Sequence, residues 1–394
     1  MRVLSVGAGS EQVSAILKAK EKGYYIIAID GNKDADGLKL ADEGHVIDIK
    51  LKDKVLNFLA DKNIQGIIQS PIGRYLTTIG AINDRFNLKG ISEKAATICT
   101  DKVKTNEVLR KNNINCAKQI LTKGKENILK AIKEIGFPCI LKPRFGSGSK
   151  GVVVVEEEEC ANDLIDNHLK DIGDDSTIIE SILLGQEYGL DAIVVDKKCK
   201  VILVRKKYMT EGLYRQEIGY IMPAKISKEI RLKINEVMQK VSNSIGLNNC
   251  LVQADILVDN DEINIIEVSG RPSGLNMSSK MVPLTTEIDF LGLGIDLSVN
   301  KLDMKKVLFK DSIEYLYAMY FLDIENCVVK NIPDLQEIKA IKNIIEYKSN
   351  IKLGDNLKNI KNGTDILNRG YIITKTKTEK EAIRILKEVK KKFN

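Results

Sequence analysis

The stretch CLVQADILVDNDEINIIEVSGRPSG, residues 250–274, carries the strongest local pattern in the chain. Apolar and β-branched residues flank a polar run from Asp259 to Glu262, which predicts two strands joined by a tight turn. Asp255 and Glu267 each interrupt an apolar run that such strands would bury. A carboxylate on a mostly buried strand needs a partner, a hydrogen-bond network or a metal, because isolated burial is strongly unfavourable. Folding at the turn brings the two carboxylates toward one another, with Arg271 four residues beyond Glu267. Magnesium takes hard oxygen ligands and shares carboxylates with nucleotide phosphates, so the pattern suits Mg²⁺ and phosphate. Two strand carboxylates with salt-bridge partners are the structural alternative.

Upstream, Gly136-Phe-Pro-Cys-Ile-Leu-Lys-Pro143 predicts a short buried strand ending in Lys142. Arg144-Phe-Gly-Ser-Gly-Ser-Lys-Gly151 follows, before a second strand over 152–155. Three glycines and two serines between strands make a loop rich in N–H and hydroxyl donors, suited to a flap over phosphates. No G-K-[ST] opens a helix here, so it is not a P-loop. Helices are expected over 101–112, 126–135 and 228–245, and strands over 176–182, 189–195 and 200–205. Residues 205–224, mixed in charge, are expected to form a loop. Beyond the hairpin, an apolar helix over 286–299, a strand over 311–322 and a basic amphipathic helix over 379–393 are expected.

Residues 1–92 alternate strand and helix: strands over 3–6, 25–29, 46–49 and 66–69, and helices through Lys22 and over 52–62. This is the signature of a parallel, doubly wound layer. Gly7-x-Gly9 followed by Asp30 resembles a nicotinamide-binding fingerprint, but Gln12 stands where the third glycine belongs. A tight turn offering its N–H groups to an anion is the expected alternative. Ser70-Pro-Ile-Gly-Arg74 lies at the same carboxyl edge, where Arg74 is a candidate carboxylate binder.

A length of 394 residues allows two or three domains, and 43% hydrophobic with 29% charged residues describes a globular protein. The net charge of +7 comes from scattered lysines, and Trp is absent, so no base-stacking nucleic-acid surface is expected. The seven cysteines (99, 116, 139, 160, 199, 250 and 327) are dispersed and only two histidines occur. That argues against a disulfide framework, a zinc site or a histidine-based triad. The chain enters a strand at Val3 without a signal-like segment and has no run of membrane-spanning length, so a cytoplasmic protein is expected.

In order and spacing, these segments resemble the ATP-grasp superfamily over roughly residues 1–300. Within it they look most like the group of biotin carboxylase, the large subunit of carbamoyl phosphate synthetase and the carboxylate–amine ligases. The phrase Ile265-Ile-Glu-Val-Ser-Gly-Arg-Pro-Ser-Gly274 with Ser279-Lys280 is especially similar to the synthetase. The resemblance implies an α/β ATP-grasp fold: a Rossmann-like preATP-grasp domain over 1–92, an ATP-grasp domain over 93–300 with a flexible lid at about 115–182, and a small C-terminal α+β subdomain over 301–394. It implies ATP and Mg²⁺ as cofactors, with up to two ions and Mn²⁺ as a substitute. Lys102 and Lys142 would hold phosphates beneath a flap carrying Gly146, Ser147, Gly148, Ser149 and Gly151. Glu180, Ser181 and Ile182 would meet adenine, and Glu187 the ribose. Asp255 and Glu267 would take the metal, their twelve-residue spacing fitting an ungapped hairpin, with Gln253 as a further ligand. Ser269 stands where the family usually has Asn, which weakens a second metal position. Arg271, with Lys142, would act on the transferring phosphoryl group.

The implied reaction phosphorylates a small carboxylic acid and passes the acyl group to an amine, releasing ADP and phosphate. Arg74, Arg205, Arg215, Glu217, Ser273, Gly274 and Asn276 are the candidate substrate contacts. A homodimer acting on small molecules, without nucleic acid or membrane, is expected. The alternatives are activation of bicarbonate or carbamate, and nucleotide binding with weakened catalysis.

Overall fold

The computed structural model describes residues 1–146, 148–173, 176–308 and 314–393. At the N-terminus, four parallel strands (Arg2–Val6, Tyr25–Asp30, Glu43–Val46 and Gly66–Ile67) form a sheet in the order third, second, first, fourth. The third strand lies at 43–46 rather than 46–49. Ile47 and Ile49 are buried after the chain has left the ladder, with the Ile47 N–H donating to the Asp30 carbonyl at 2.9 Å. The apolar alternation there marked burial of an exit loop. A second apolar element completes this layer from far along the sequence. Leu291, Ile295 and Val299, on and just beyond the helix Phe290–Ser298, share a core with Val3, Ile16, Ile26 and Ile68. The expected helix over 286–299 is thus split, with a shorter helix at Val282–Thr286 before it.

Four antiparallel strands form a separate sheet across the segment expected as the lid, in the order Gln119–Thr122, Thr177–Ser181, Cys139–Pro143, Val153–Val155. Helices Lys125–Ile135 and Glu158–Ile172 bury Ile128, Ile132, Leu164 and Ile165 against Leu141, Val153 and Ile179.

The largest sheet has eight antiparallel strands. Their order is Glu262–Ser269, Cys250–Asp259, Gln186–Val195, Lys198–Met209, Glu217–Met222, Leu316–Phe321, Gly370–Thr376 and Ile344–Ser349. Strands from beyond residue 301 therefore extend the sheet that carries the hairpin. Residues 205–224 are not one loop: strands run to Met209 and resume at Glu217. Arg205 and Lys207, each 4% exposed, sit on the buried face of that strand, so charge disguised a ladder as a loop. The strand expected over 311–322 is described from Leu316, its first residues lying outside the described ones. Helix Lys228–Ile245 covers the sheet with Ile234, Met238 and Val241. Ser227 caps its start, its hydroxyl accepting the Ile230 N–H at 3.2 Å, and Gly246 ends it in the left-handed region. Among the described residues no helix is long and apolar enough to cross a membrane.

The hairpin turns on Asn260 and Asp261, both at positive φ (44° and 65°), which matches the strands' twist. It is not ungapped. Asp255 faces Glu267 but Ile256 faces Ile265, so Ile266 forms a bulge directly beside the carboxylate pair.

Candidate active site

One cleft of about 1360 Å³ runs between the N-terminal sheet edge, the lid and the large sheet. Its floor is the hairpin. Asp255 and Glu267 are directly opposed in the ladder, and Gln253 lies two residues from Asp255 on the same strand face. All three line the cleft, whereas Ser269, opposite Gln253, is 4% exposed and outside the lining. Two opposed carboxylates and an amide make a hard-oxygen donor set that fits Mg²⁺ shared with a nucleotide. Burial pushes the Asp255 carboxyl up to about 6 against the pull of Lys207, with Glu217 and Glu187 adding to the rise. Such a carboxylate gains from any further cation.

Lys207 is the residue that the sequence pattern did not single out. Its ammonium lies 2.8 Å from Glu187, 2.9 Å from Glu217 and 3.0 Å from Asp255, carboxylates of three different strands. Burial alone would lower its pKa; Asp255, Glu217 and Glu187 outweigh this and hold it well above its usual range. Arg215 reaches Glu187 from the rim at 3.2 Å. The one local signal was the period of two between Arg205 and Lys207, which marks a strand face.

The roof is the flap. Lys142 pairs with Glu180 at 2.6 Å, and Lys102 donates to the Gly146 carbonyl at 3.0 Å. Burial depresses the Lys102 pKa and the neighbouring Lys142 adds to the fall, while Glu267 and Glu180 oppose it. Asp101 caps the helix Lys102–Lys111 and holds Arg144 through two bonds of 3.0 and 2.7 Å. Farther along, the Gly363 N–H donates to the Gly148 carbonyl at 3.0 Å. Gly151, at φ 71°, packs so closely that a Cβ would lie 2.6 Å from Ile172, and His168 bonds its carbonyl at 2.7 Å. Gly146, Gly148 and Ser149 line the cleft; Ser147 lies outside the described residues. Glu180, Ser181, Ile182 and Glu187 also line the cleft.

The candidate substrate residues divide. Arg215, Glu217 and Gly274 face the cleft. Arg205 and Ser273 also border it but are committed inward: Asp191, fully buried, pairs with the Arg205 guanidinium and accepts the Ser273 hydroxyl at 2.7 Å. Arg74 is not in the lining and stacks on Phe145 at 4.7 Å; Asn276 lies in a neighbouring crevice. Arg271 lines the cleft beside Glu267, with burial lowering its pKa against Glu267, Glu11 and Asp255.

The Gly7–Gly9 turn does not present its donors to an anion as expected. Gly7 N–H donates to the Ile29 carbonyl (2.8 Å), Ala8 N–H to Asp30 (2.7 Å) and Gly9 N–H to the Gln12 side chain (3.1 Å). Gln12, in place of the third glycine, also donates to the Pro71 carbonyl.

A family model described as an ATP-grasp domain matches residues 135–279. The chain is 27% identical over 270 residues to the alanine–anticapsin ligase of Bacillus subtilis, covering 60% of this chain and 56% of that one. It therefore spans just over half the length of the curated relatives of that name. Among solved structures, an L-amino acid ligase from Bacillus licheniformis superposes with a TM-score of 0.81 at 16% identity, covering 100% of this chain and 98% of that one. An N5-carboxyaminoimidazole synthetase from Staphylococcus aureus, complexed with ADP, gives 0.73 at 18% identity, with 100% and 97% covered. Residues 135–279, which include the glycine-rich loop over the cleft and the acidic hairpin at its floor, match the ATP-grasp domain, and the whole chain shares the fold of these ligase structures.

Proposed function

We propose that the protein is an ATP-dependent carboxylate–amine ligase that activates a small carboxylic acid as an acyl phosphate. The observation that carries this reading is the convergence on one cleft of Asp255 opposite Glu267, Lys102 and Lys142 under the flap, and Arg271 between floor and rim. Phosphoryl transfer requires chiefly positioning and neutralised charge, and these groups supply both. Lys142 and Lys102 hold the nucleotide phosphates while Glu180, Ser181 and Ile182 border the base. The acid's carboxylate oxygen attacks the γ-phosphorus and ADP leaves. The amine then attacks the acyl carbon, the bond to phosphate breaks and the nitrogen loses a proton. Arg271 places fixed positive charge where the transferring group and the departing phosphate pass. Asp255 and Glu267, with Gln253 beside them, would hold Mg²⁺, which would supply further neutralisation of the phosphates when bound. Lys207 keeps Asp255 and Glu217 ionised and fixed in place.

A coupled assay of ADP release against panels of carboxylic acids and amines tests the reading. Release that requires both an acid and an amine supports it. Release driven by bicarbonate alone, or ATP binding without turnover on any pair, overturns it.

A further inference from the structure

Arg271 owes its direction to the turn that carries it. Its Nη1 donates to the carbonyl of Pro272, the next residue, at 3.0 Å, and the guanidinium has no ion-pair partner among the described residues. Pro272 and Ser273 are buried, and Leu275 and Asn276 follow at φ 56° and 60°. Two successive non-glycine residues in the left-handed region are uncommon, and such backbone persists only where its surroundings over-determine it. One tie is the Leu275 N–H, which donates to Glu11 at 3.2 Å. Glu11 is an exposed side chain, so water competes for that bond.

The other tie is buried. The Ser273 hydroxyl donates to Asp191 Oδ1 at 2.7 Å and accepts Arg205 Nη2 at 3.1 Å, while the Arg205 guanidinium also pairs with Asp191 Oδ2. The Ser278 hydroxyl reaches Asp191 Oδ1 from beyond the turn at 3.4 Å. All four side chains are buried, Asp191 and Ser278 completely. An ion pair this deep contributes little net stability, because desolvation offsets the attraction. Arg205 Nε has no hydrogen-bond partner among the described residues, a further cost. A core built for stability alone would do as well with apolar side chains here. What the pair does supply is place. Asp191 lies opposite Gln253, and Arg205 lies opposite Gly189, whose other neighbour is Asp255. The network therefore joins the turn to the strands beside the metal floor.

Resting on the ligase reading, which sets Arg271 at the transferring phosphoryl group, we propose that Asp191 and Arg205 are positioning residues for Arg271. Through Ser273 they fix the Pro272 carbonyl, and that carbonyl holds the guanidinium in place relative to Asp255 and Glu267. A guanidinium so held meets the phosphoryl group without reorganising, whereas one on a free turn would have to be ordered by the ligand. Neither Asp191 nor Arg205 needs to touch the substrate for this.

The test is calorimetric titration of the full chain, with Mg²⁺, by ADP and by the β,γ-imido analogue of ATP, which differ in the phosphoryl group that Arg271 meets. Asp191→Asn leaves the Arg205 charge buried without compensation and puts the fold at risk. Ser273→Ala keeps the ion pair and is the deciding variant. S273A and R271Q should each lose about tenfold in affinity for the imido analogue, while ADP binds within about twofold of the wild type. The double variant should bind the analogue no more weakly than R271Q alone, because the hydroxyl acts only through the arginine. An unchanged ratio of analogue to ADP affinity in S273A, an equal loss for both nucleotides, or losses that add in the double variant overturns the assignment. R271Q without effect on that ratio overturns the placement of Arg271 and the positioning role with it. ADP release is read separately. The binding pattern as described, without ADP release on any acid–amine pair, sinks the ligase reading and leaves the positioning of Arg271 against phosphate standing.

Discussion

Lys207 Nζ and Asp255 Oδ2 lie 3.0 Å apart at the floor of the cleft, and the same ammonium reaches Glu187 and Glu217. One buried cation thus organises three carboxylates that would otherwise repel one another, including one of the pair assigned to Mg²⁺. Removing it leaves those charges without compensation.

Lys207→Met should therefore lower stability by about 3 kcal/mol or more, the usual cost of breaking a buried ionic network by deleting one partner. Urea unfolding in metal-free buffer measures this. A midpoint equal to that of the wild type would show that the carboxylates take up protons without penalty.

Glu267→Gln keeps the shape of the hairpin and removes a charge opposite Asp255. Turnover should fall by about 10²-fold or more, on the scale of losing one group that stabilises transition-state charge. The unfolding midpoint should hold, since Glu267 has no ion-pair partner among the described residues. Undiminished ADP release would refute the metal assignment.

His168 is fully buried, and burial lowers its pKa from the ordinary 6.5. The Gly151 carbonyl can only accept, so Nδ1 carries the proton and Nε2 accepts the Thr177 hydroxyl at 2.9 Å. The folded lid favours neutral imidazole and the unfolded chain binds the proton more readily. The resulting stability is present above pH 6.5 and is lost as pH falls from there through the lower folded pKa. The protection factors of the Val153–Val155 amides, with intrinsic exchange at each pH divided out, should fall over that window in the wild type. In His168→Asn, which keeps a donor for Gly151 but does not titrate, this fall should disappear.

Gly363→Pro tests the link between the C-terminal segment and the flap. Gly363 is the first helical residue after Asn362, whose extended backbone suits a following proline. The helix should survive, but the N–H that holds the Gly148 carbonyl is gone and the ring occupies its place. The loss is about 1 kcal/mol of flap closure. It should read as a raised KM for ATP and faster proteolytic cutting near Gly148; unchanged values for both would mean that the contact does not restrain the flap.

Much of this protein was legible in local sequence because the forces involved were local. The hairpin follows from alternation on either side of Asn260 and Asp261, the helix 228–245 from its apolar period between Ser227 and Gly246, and the flap from its glycines. Those patterns reflect backbone sterics and one-sided burial, which act over a few residues. The opposition of Asp255 and Glu267 was also readable, since both lie on one hairpin.

Tertiary structure alone decided the rest. Lys207 looked like loop because its charge contradicts burial; carboxylates from three strands make that burial tolerable, two from the strands that flank it in sequence and one, Asp255, from a distant strand brought in by pairing with Gln186–Val195. The Gly7–Gly9 turn looked like an anion site until Asp30 and Gln12 were seen to take its donors. Glu11 became a cleft residue only when Leu275 was brought to it from 264 positions away. Sequence determines what a residue is able to form with its near neighbours. Which distant charge satisfies a buried one is settled by the packing of whole strands, and in this protein the chemistry of the cleft depends on that.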